Sequence, residues 1–471
     1  MTPMTDDPLL EHDALGLAAL VRAGEVTPDE LLDATLARTE RLDGTLNAII
    51  TECVERARTH AARVDPSTPF AGVPTFLKDL VDLEGTRRTD GSASMLQNVS
   101  AASPAWVTAA EVAGLVVAGK TNTPEFASLP VTDNMVFGPT RNPWDPNLSS
   151  GGSSGGAAAS VAAGYTPVAH GTDGGGSNRI PASWCGVFGM KPSRGRLASG
   201  ELDGSHPVFK THMALSRSVR DNATVFLATQ GDDAAFPHLA SMPTLDGRRL
   251  RIALTLDSPF GEPPEPAVQA AVEDAALLCQ ALGHEVVPVD NPVDGAEFFA
   301  MYAGYFLSRT VGLIDMLEQA SGLPIEESGL LSRCTIEMVR EGDHLPSDAI
   351  ARAEATLARL DTTMAAFLAD HDVWLTPVTA TMPLLVGDIS PREPFDRDRS
   401  QRLLSHLAIA NAIGGPAMSV PLWWDDDTGL PVGSHFSAAP GSDETLYGLA
   451  FALEEAQPWA QRWAPTSARF L

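Results

Sequence analysis

Lysine is almost missing from this chain: among 471 residues only Lys78, Lys120, Lys191 and Lys210 carry an amine side chain, every other basic residue being arginine or histidine. Positive charge of any kind is scarce, with 32 Lys and Arg against 60 Asp and Glu and a formal net charge of −28. Such a surface repels phosphate backbones and anionic lipids, so neither a nucleic-acid nor a membrane partner is expected. Cysteine is also rare. Cys53, Cys185, Cys279 and Cys334 lie far apart, with no CxxC pair or His/Cys ligand spacing, which argues against a disulfide framework and against a metal site. No apolar run reaches the roughly 18 residues that a membrane span needs. The first residues, MTPMTDDPLLEHD, lack the basic, apolar and small-residue zones of a signal peptide. The expectation is a cytoplasmic protein, working as a monomer or homodimer.

What is present suffices for a large core, with 44% hydrophobic and 20% charged residues. Ala14, Leu15, Leu17, Ala18 and Val21 form a helical apolar stripe, and Thr27-Pro28-Asp29-Glu30 has the form of a capping box, so residues 13–62 are expected to form two helices. Gly114 to Gly119 encloses a short apolar run expected of a buried strand. Leu250–Leu254 and Glu285–Val289 are expected as strands around a helix from Ala267 to Leu282. Strand and helix patterns alternate without an internal repeat, which places the chain in the α/β class.

Between residues 138 and 200 glycine, serine and alanine dominate. A flexible linker is the simplest reading of GGSSGG alone. The stretch continues into the apolar Ile180–Pro192, however, which suits glycines that permit close backbone packing. No register of this segment gives the phosphate-binding or dinucleotide fingerprints, because Lys191 is followed by Pro192 and G-x-G-x-x-G is absent. Two overlapping G-x-S-x-G matches centre on Ser153 and Ser154. The nucleophile elbow of an α/β-hydrolase needs a strand just before it, and Asn142–Asn147 is turn-forming instead.

Gly174-Gly175-Gly176-Ser177 sets unobstructed backbone N–H groups beside a hydroxyl. Such donors stabilise a tetrahedral oxyanion, and glycine lets a carbonyl approach them. A serine hydroxyl needs a base, either His or a neutral Lys. Lysine can lose its proton where arginine cannot, which draws attention to Lys78 between Leu77 and Leu80.

GGSSGGAAASVAAG followed by GTDGGGSNRIPASWCGVFGMKPSRGR resembles the defining segment of the amidase-signature family. Gly72–Leu80, Gly119-Lys120-Thr121-Asn122 with Glu125-Phe126, Asn411, Gly415–Pro421 and Gly429–Gly433 resemble further landmarks of that family, so the similarity covers almost the whole chain. The resemblance implies one amidase-signature domain over 1–471: a large mixed β-sheet flanked by helices on both faces. Within it stand a helical N-terminal segment of about 1–65, a signature core of about 66–200, a helix-rich candidate cap of about 200–400 and a return to the core over about 400–471.

The same resemblance implies a Ser–Ser–Lys triad of Lys78 as base, Ser153 as a serine held by a cis peptide, and Ser177 as nucleophile, successive members being 75 and 24 positions apart. It implies an oxyanion hole from the N–H groups of Gly174, Gly175, Gly176 and Ser177, and supporting roles for Ser154, Asp173 and Arg179. Glycine at 174 and Asn178 depart from common family residues. The implied reaction is hydrolysis of a small carboxamide through an acyl-serine, without metal or cofactor. Lys191–Arg196, Leu215–Asp221 and Gln457-Pro458-Trp459 are similar to the 6-aminohexanoate-cyclic-dimer hydrolase branch, which implies aryl or alkyl amides, nylon-type oligoamides or carbamates.

Two other functions use the same fold: an amidotransferase subunit acting with tRNA-dependent partners, and a non-catalytic binding protein. Lys120 and Lys191 are expected to brace structure, His170 and His435 to be structural or exposed, and Cys334 to be an ordinary buried thiol. Trp184, Phe188 and the Trp423-Trp424 pair are expected in the core or at its rim, and Tyr302, Tyr305 and Phe306 as pocket walls.

Overall fold

Thr27 opens the second helix as its sequence dictates. Its hydroxyl accepts from Glu30 N, and the Glu30 carboxylate accepts from Thr27 N at 2.8 Å, the reciprocal pair of a capping box. These details come from a computed structural model, which describes residues 7–198, 209–231, 235–242 and 244–470. The N-terminal segment holds more than the two helices expected. Helices Ala14–Ala23 and Pro28–Leu46 are followed by strand β1 (Ile49–Glu52) and a third helix, Val54–Ala61. Asn47 ends the long helix in the left-handed region (φ 52°), and the β-branched run Ile49-Ile50-Thr51 then takes up an extended pairing.

β1 belongs to a three-stranded sheet with β2 (Pro74–Lys78) and β3 (Val116–Thr121), in the order β1-β3-β2. The large sheet has eight strands. They are β4 (Val168–Asp173), β5 (Phe188–Lys191), β6 (Thr211–Ser216), β7 (Arg251–Leu254), β8 (Glu285–Pro288), β9 (Val373–Pro377), β10 (Ala417–Trp424) and β11 (Pro431–Ser437), in the order β4-β6-β5-β10-β11-β9-β7-β8. The β7–β8 and β7–β9 pairs are parallel and the others antiparallel, so the sheet is mixed, as expected. The small sheet meets it through β2 and β4: Thr75 Oγ1 donates to Val168 O at 2.9 Å.

Helices cover both faces of the large sheet. Met418 and Val420 on one side of β10 share a core cluster with Leu446 and Leu449 of helix Asp443–Ala456. The opposite side lies under helix Arg179–Cys185, and Gly433 allows that approach, since a Cβ there would fall 3.0 Å from Ser183. The glycine-rich run is likewise packed rather than a linker. All eight residues of helix Gly155–Ala162 are buried, and a Cβ on Gly156 would meet Asn122 N at 2.6 Å. No described helix is long and apolar enough to cross a membrane.

Candidate active site

β2 ends on Lys78, which is fully buried. Its Nζ lies 2.7 Å from Ser153 Oγ, 2.9 Å from Ser154 Oγ and 3.1 Å from Thr172 Oγ1. No carboxylate comes within ion-pair distance of it among the described residues. Burial, only partly opposed by Asp173 and reinforced by Lys210, holds its pKa well below the ordinary lysine value. A neutral amine offers two N–H donors and one lone pair. The Ser154 hydroxyl has acceptors at 3.1 Å in Thr172 O and Asn178 Oδ1, so its proton is taken and it must accept from Nζ. Thr172 can take the second N–H, which turns the lone pair toward Ser153, the nearest of the three.

Strand periodicity explains how β4 reaches this point. His170 and Thr172, two residues apart, share one face. Thr172 touches the Lys78 amine, while His170 Nδ1 accepts from Lys78 N at 3.4 Å and its Nε2 lies 3.1 Å from His212 Nδ1. Burial, then His212 and Lys78, push the His170 pKa well below its usual value, so this ring is a neutral strut. Ser153 follows a cis peptide bond from Gly152.

Ser177 and Gly174 are half-buried, and both line the same cavity as Ser153; the Ser177 hydroxyl has no hydrogen bond among the described residues. The glycines before it differ in what they tolerate. A Cβ on Gly175 would stand 2.2 Å from Tyr302 Oη, and Gly176 combines φ +125° with Leu407 at 2.6 Å, whereas at Gly174 nothing lies closer than 3.8 Å. The four expected oxyanion donors are not equally available. Gly176 N–H is already committed to Asp173 Oδ1 at 2.7 Å, which leaves the amides of Gly174, Gly175 and Ser177 without a protein acceptor among the described residues.

Asp173 and Arg179 brace this loop from behind. Arg179 donates to Asp173 through Nε and Nη2, both at 2.9 Å, to Asn411 Oδ1 at 2.6 Å and to Leu407 O at 3.0 Å, and its Nη1 lies 2.9 Å from His435 Nε2. Asn411 Nδ2 returns a bond to Asp173 Oδ1 at 3.0 Å. Burial alone would raise the Asp173 pKa, but Arg179 overrides it and holds the carboxyl well below the usual range.

Lys120, Lys191 and His435 make structural contacts outside the cavity. Lys120 Nζ donates to Val81 O at 2.5 Å and Lys191 Nζ to Pro192 O at 2.7 Å. Burial, then Arg179, lowers the Lys191 pKa to about 7. His435 is buried between Arg179 and Thr376, a structural position. Cys334 is buried, and burial pushes its thiol up to about 12. Trp184 and Phe188 are core residues, and Tyr302, Tyr305 and Phe306 line the cavity, whose volume is about 500 Å³.

Sequence reasoning missed the parts played by Thr172, Asn178 and Asn411. Thr172 was detectable, because it stands on β4 at a two-residue spacing from His170 and just before Asp173. Asn411 stood out only as a family landmark, and its bond to Asp173, 238 residues away, has no local pattern.

The sequence profile of the family described as Amidase matches residues 30–447. A lipoamidase from Enterococcus faecalis is 36% identical over 468 residues, covering 94% of this chain and 63% of the relative, so the chain spans just under two thirds of that protein. The putative amidase AmiB2 of Mycobacterium tuberculosis (strain ATCC 25618 / H37Rv) is 36% identical over 469 residues, covering 95% of this chain and 97% of the relative. The solved structure of 6-aminohexanoate cyclic dimer hydrolase complexed with substrate superposes with a TM-score of 0.88 and 32% identity, over 97% of this chain and 99% of the other. The chain belongs to the amidase family.

Proposed function

We propose that this amidase hydrolyses small carboxamides through an acyl-Ser177 intermediate, with Lys78 and Ser153 relaying the proton. The observation that carries the reading is the buried Lys78 amine, 2.7 Å from Ser153 Oγ, with hydroxyls as its only polar side-chain partners among the described residues. Neutral Lys78 accepts the Ser153 proton as Ser153 accepts that of Ser177, and Ser177 Oγ attacks the scissile carbonyl. The oxyanion forms against the amides of Gly174, Gly175 and Ser177. The proton returns to the departing amine, and water then hydrolyses the ester, restoring Ser177. Asp173 and Arg179 keep the loop in shape and exchange no proton with the substrate.

Aryl and alkyl amides, oligoamides and carbamates are the substrate classes to test. The named substrate of the cyclic dimer hydrolase supports the oligoamides, and the apolar cavity wall of Leu129, Phe209, Phe306 and Met338 suits chains of methylenes or rings. The test is a panel of an anilide, an aliphatic amide, a lactam oligomer and a carbamate, run with wild type and Ser177→Ala. Alongside it, mass spectrometry locates the adduct of a fluorophosphonate. Turnover that vanishes in the variant, with the adduct on Ser177, is expected. Turnover retained by Ser177→Ala overturns the reading, no turnover and no adduct favours a binding protein, and glutaminase activity that depends on tRNA-linked partners favours an amidotransferase subunit.

A further inference from the structure

The cavity that Ser177 faces runs against the charge of the chain. Acidic residues outnumber Lys and Arg 60 to 32 overall, yet the described residues lining the cavity include four cations, Arg88, Lys210, Arg309 and Arg397, and one acid, Asp90. Arg88 is committed, its Nε lying 2.7 Å from Asp90 Oδ1 and its Nη1 2.9 Å from Asp82 Oδ2. Arg397 pairs with Glu341, but those side chains are 39% and 47% exposed, so water and salt weaken the pair and leave Arg397 able to change partner. The side chain of Arg309, which ends helix Gly295–Ser308, is exposed and has no hydrogen bond or ion pair among the described residues.

A second observation points to the same place. Ser400, in the first turns of helix Arg397–Leu404, lines the cavity at 2% exposure, and its Oγ has no hydrogen-bond partner among the described residues. Buried hydroxyls are ordinarily paired, so an unpartnered one on a residue that lines a cavity leaves a hydrogen bond open to a ligand. Helix Arg333–Asp343 links the two ends. Its Glu341 holds Arg397, and the adjacent Gly342 packs on the carbonyl of Leu307, two residues before Arg309, where a Cβ would fall 2.6 Å from the oxygen.

We propose that this end of the cavity binds an anionic group, so that the amides cleaved here carry a carboxylate at the far end of an apolar body. Planar guanidinium donors and one hydroxyl match the geometry of a carboxylate, and the apolar residues that line the same cavity, Leu129, Phe209, Phe306 and Met338, suit the body of such a substrate. The inference rests on Ser177 marking the reacting end of the cavity.

The test compares kcat/KM for paired substrates. Glutaric acid mono-4-nitroanilide carries a carboxylate on the acyl side and N-acetyl-6-aminohexanoate carries one on the amine side; each is set against its alcohol counterpart, in which CH2OH replaces the carboxylate. At least one acid is expected to outperform its alcohol by about tenfold or more, a typical yield for a charge-assisted hydrogen bond, and added salt is expected to erode that preference. The acid-to-alcohol ratio should fall toward one in Arg309→Gln and decline in Arg397→Gln and Ser400→Ala. It should persist in Arg359→Gln, which alters an exposed arginine paired with Glu297. Equal rates for acid and alcohol in the wild type, or a preference that survives both Arg309→Gln and Ser400→Ala, overturn the inference and leave the acyl-serine reading standing. Failure of the wild type to cleave any of the four, or acetanilide, overturns both.

Discussion

Lys78 and Arg179 are both fully buried, and their surroundings differ in kind. Arg179 is surrounded by acceptors: a carboxylate held by two bonds, an amide oxygen, a main-chain carbonyl and a ring nitrogen. Lys78 meets three hydroxyls. A permanent cation can be buried only when paired, and an amine can be buried unpaired because it can surrender its proton. The chain uses its common cation for bracing and, in the proposed mechanism, one of its four lysines where a base is wanted. Exchanging the two chemistries is the sharpest way to break the contrast.

Lys78→Arg should therefore have the largest effect on activity. A guanidinium does not act as a base at neutral pH, and no carboxylate stands ready to pair it, so kcat/KM for a reactive anilide should fall by about 10⁴-fold or more, comparable to Ser177→Ala. Activity within tenfold of wild type would show that Lys78 is not the base. Next comes Asp173→Asn, which leaves Arg179 buried without its carboxylate. A loss of about 3–5 kcal/mol in urea unfolding is expected, as for other broken buried pairs. A loss below 1 kcal/mol would mean that Asn411 and Leu407 suffice to hold Arg179.

The same contrast gives the buried amine a distinct response to pH. Lys78 titrates below its unfolded value near ~10.4. Between those two values the unfolded chain binds the extra proton, so wild-type stability rises with pH in that window. Lys78→Met removes this dependence. The stability deficit of wild type relative to Lys78→Met should be largest at and below the folded pKa and shrink as pH approaches ~10.4. In parallel, kcat/KM should rise with pH through the lowered lysine pKa and then level off. A deficit that grows with pH would mean that the amine is charged in the folded protein.

How far the sequence exposed this site follows the same division. Lys78, Ser153 and Ser177 were singled out because each sits in a long motif that resembles a landmark of the amidase-signature family, and Asp173 and Arg179 stand within six residues of each other in one such motif, a local pattern. The capping box at Thr27 was legible for the same local reason. β1 was missed because Ile49–Glu52 becomes a strand only by pairing with β3, some 70 residues away, between two segments of helical pattern. The bond of Asn411 to Asp173, and the orphan hydroxyl of Ser400, arise only once distant helices are packed together. The commitment of Gly176 N–H to Asp173 was hidden because a run of glycines shows where amides are unobstructed and not where they point.

That last point gives the smallest prediction. Gly174, Gly175 and Gly176 look alike in sequence, but the backbone needs glycine at only part of the run. Gly176→Ala places an L-residue at φ +125° and drives its Cβ into Leu407, so a loss of about 1–3 kcal/mol from backbone strain alone is expected. Gly175→Ala displaces the Tyr302 hydroxyl and with it the bond Tyr302 donates to Gly174 O at 3.1 Å, a cost near ~1 kcal/mol. Gly174→Ala meets only ordinary contact with Lys210 and should change stability by no more than about 0.5 kcal/mol. Thermal or urea unfolding of the three variants measures the order directly. If Gly174→Ala proved the most damaging, the glycine at 174 would be required by the backbone after all. If it is silent in stability, any change it makes in turnover comes from the space it fills beside Ser177, because neither the fold nor the Asp173–Arg179 brace would have moved.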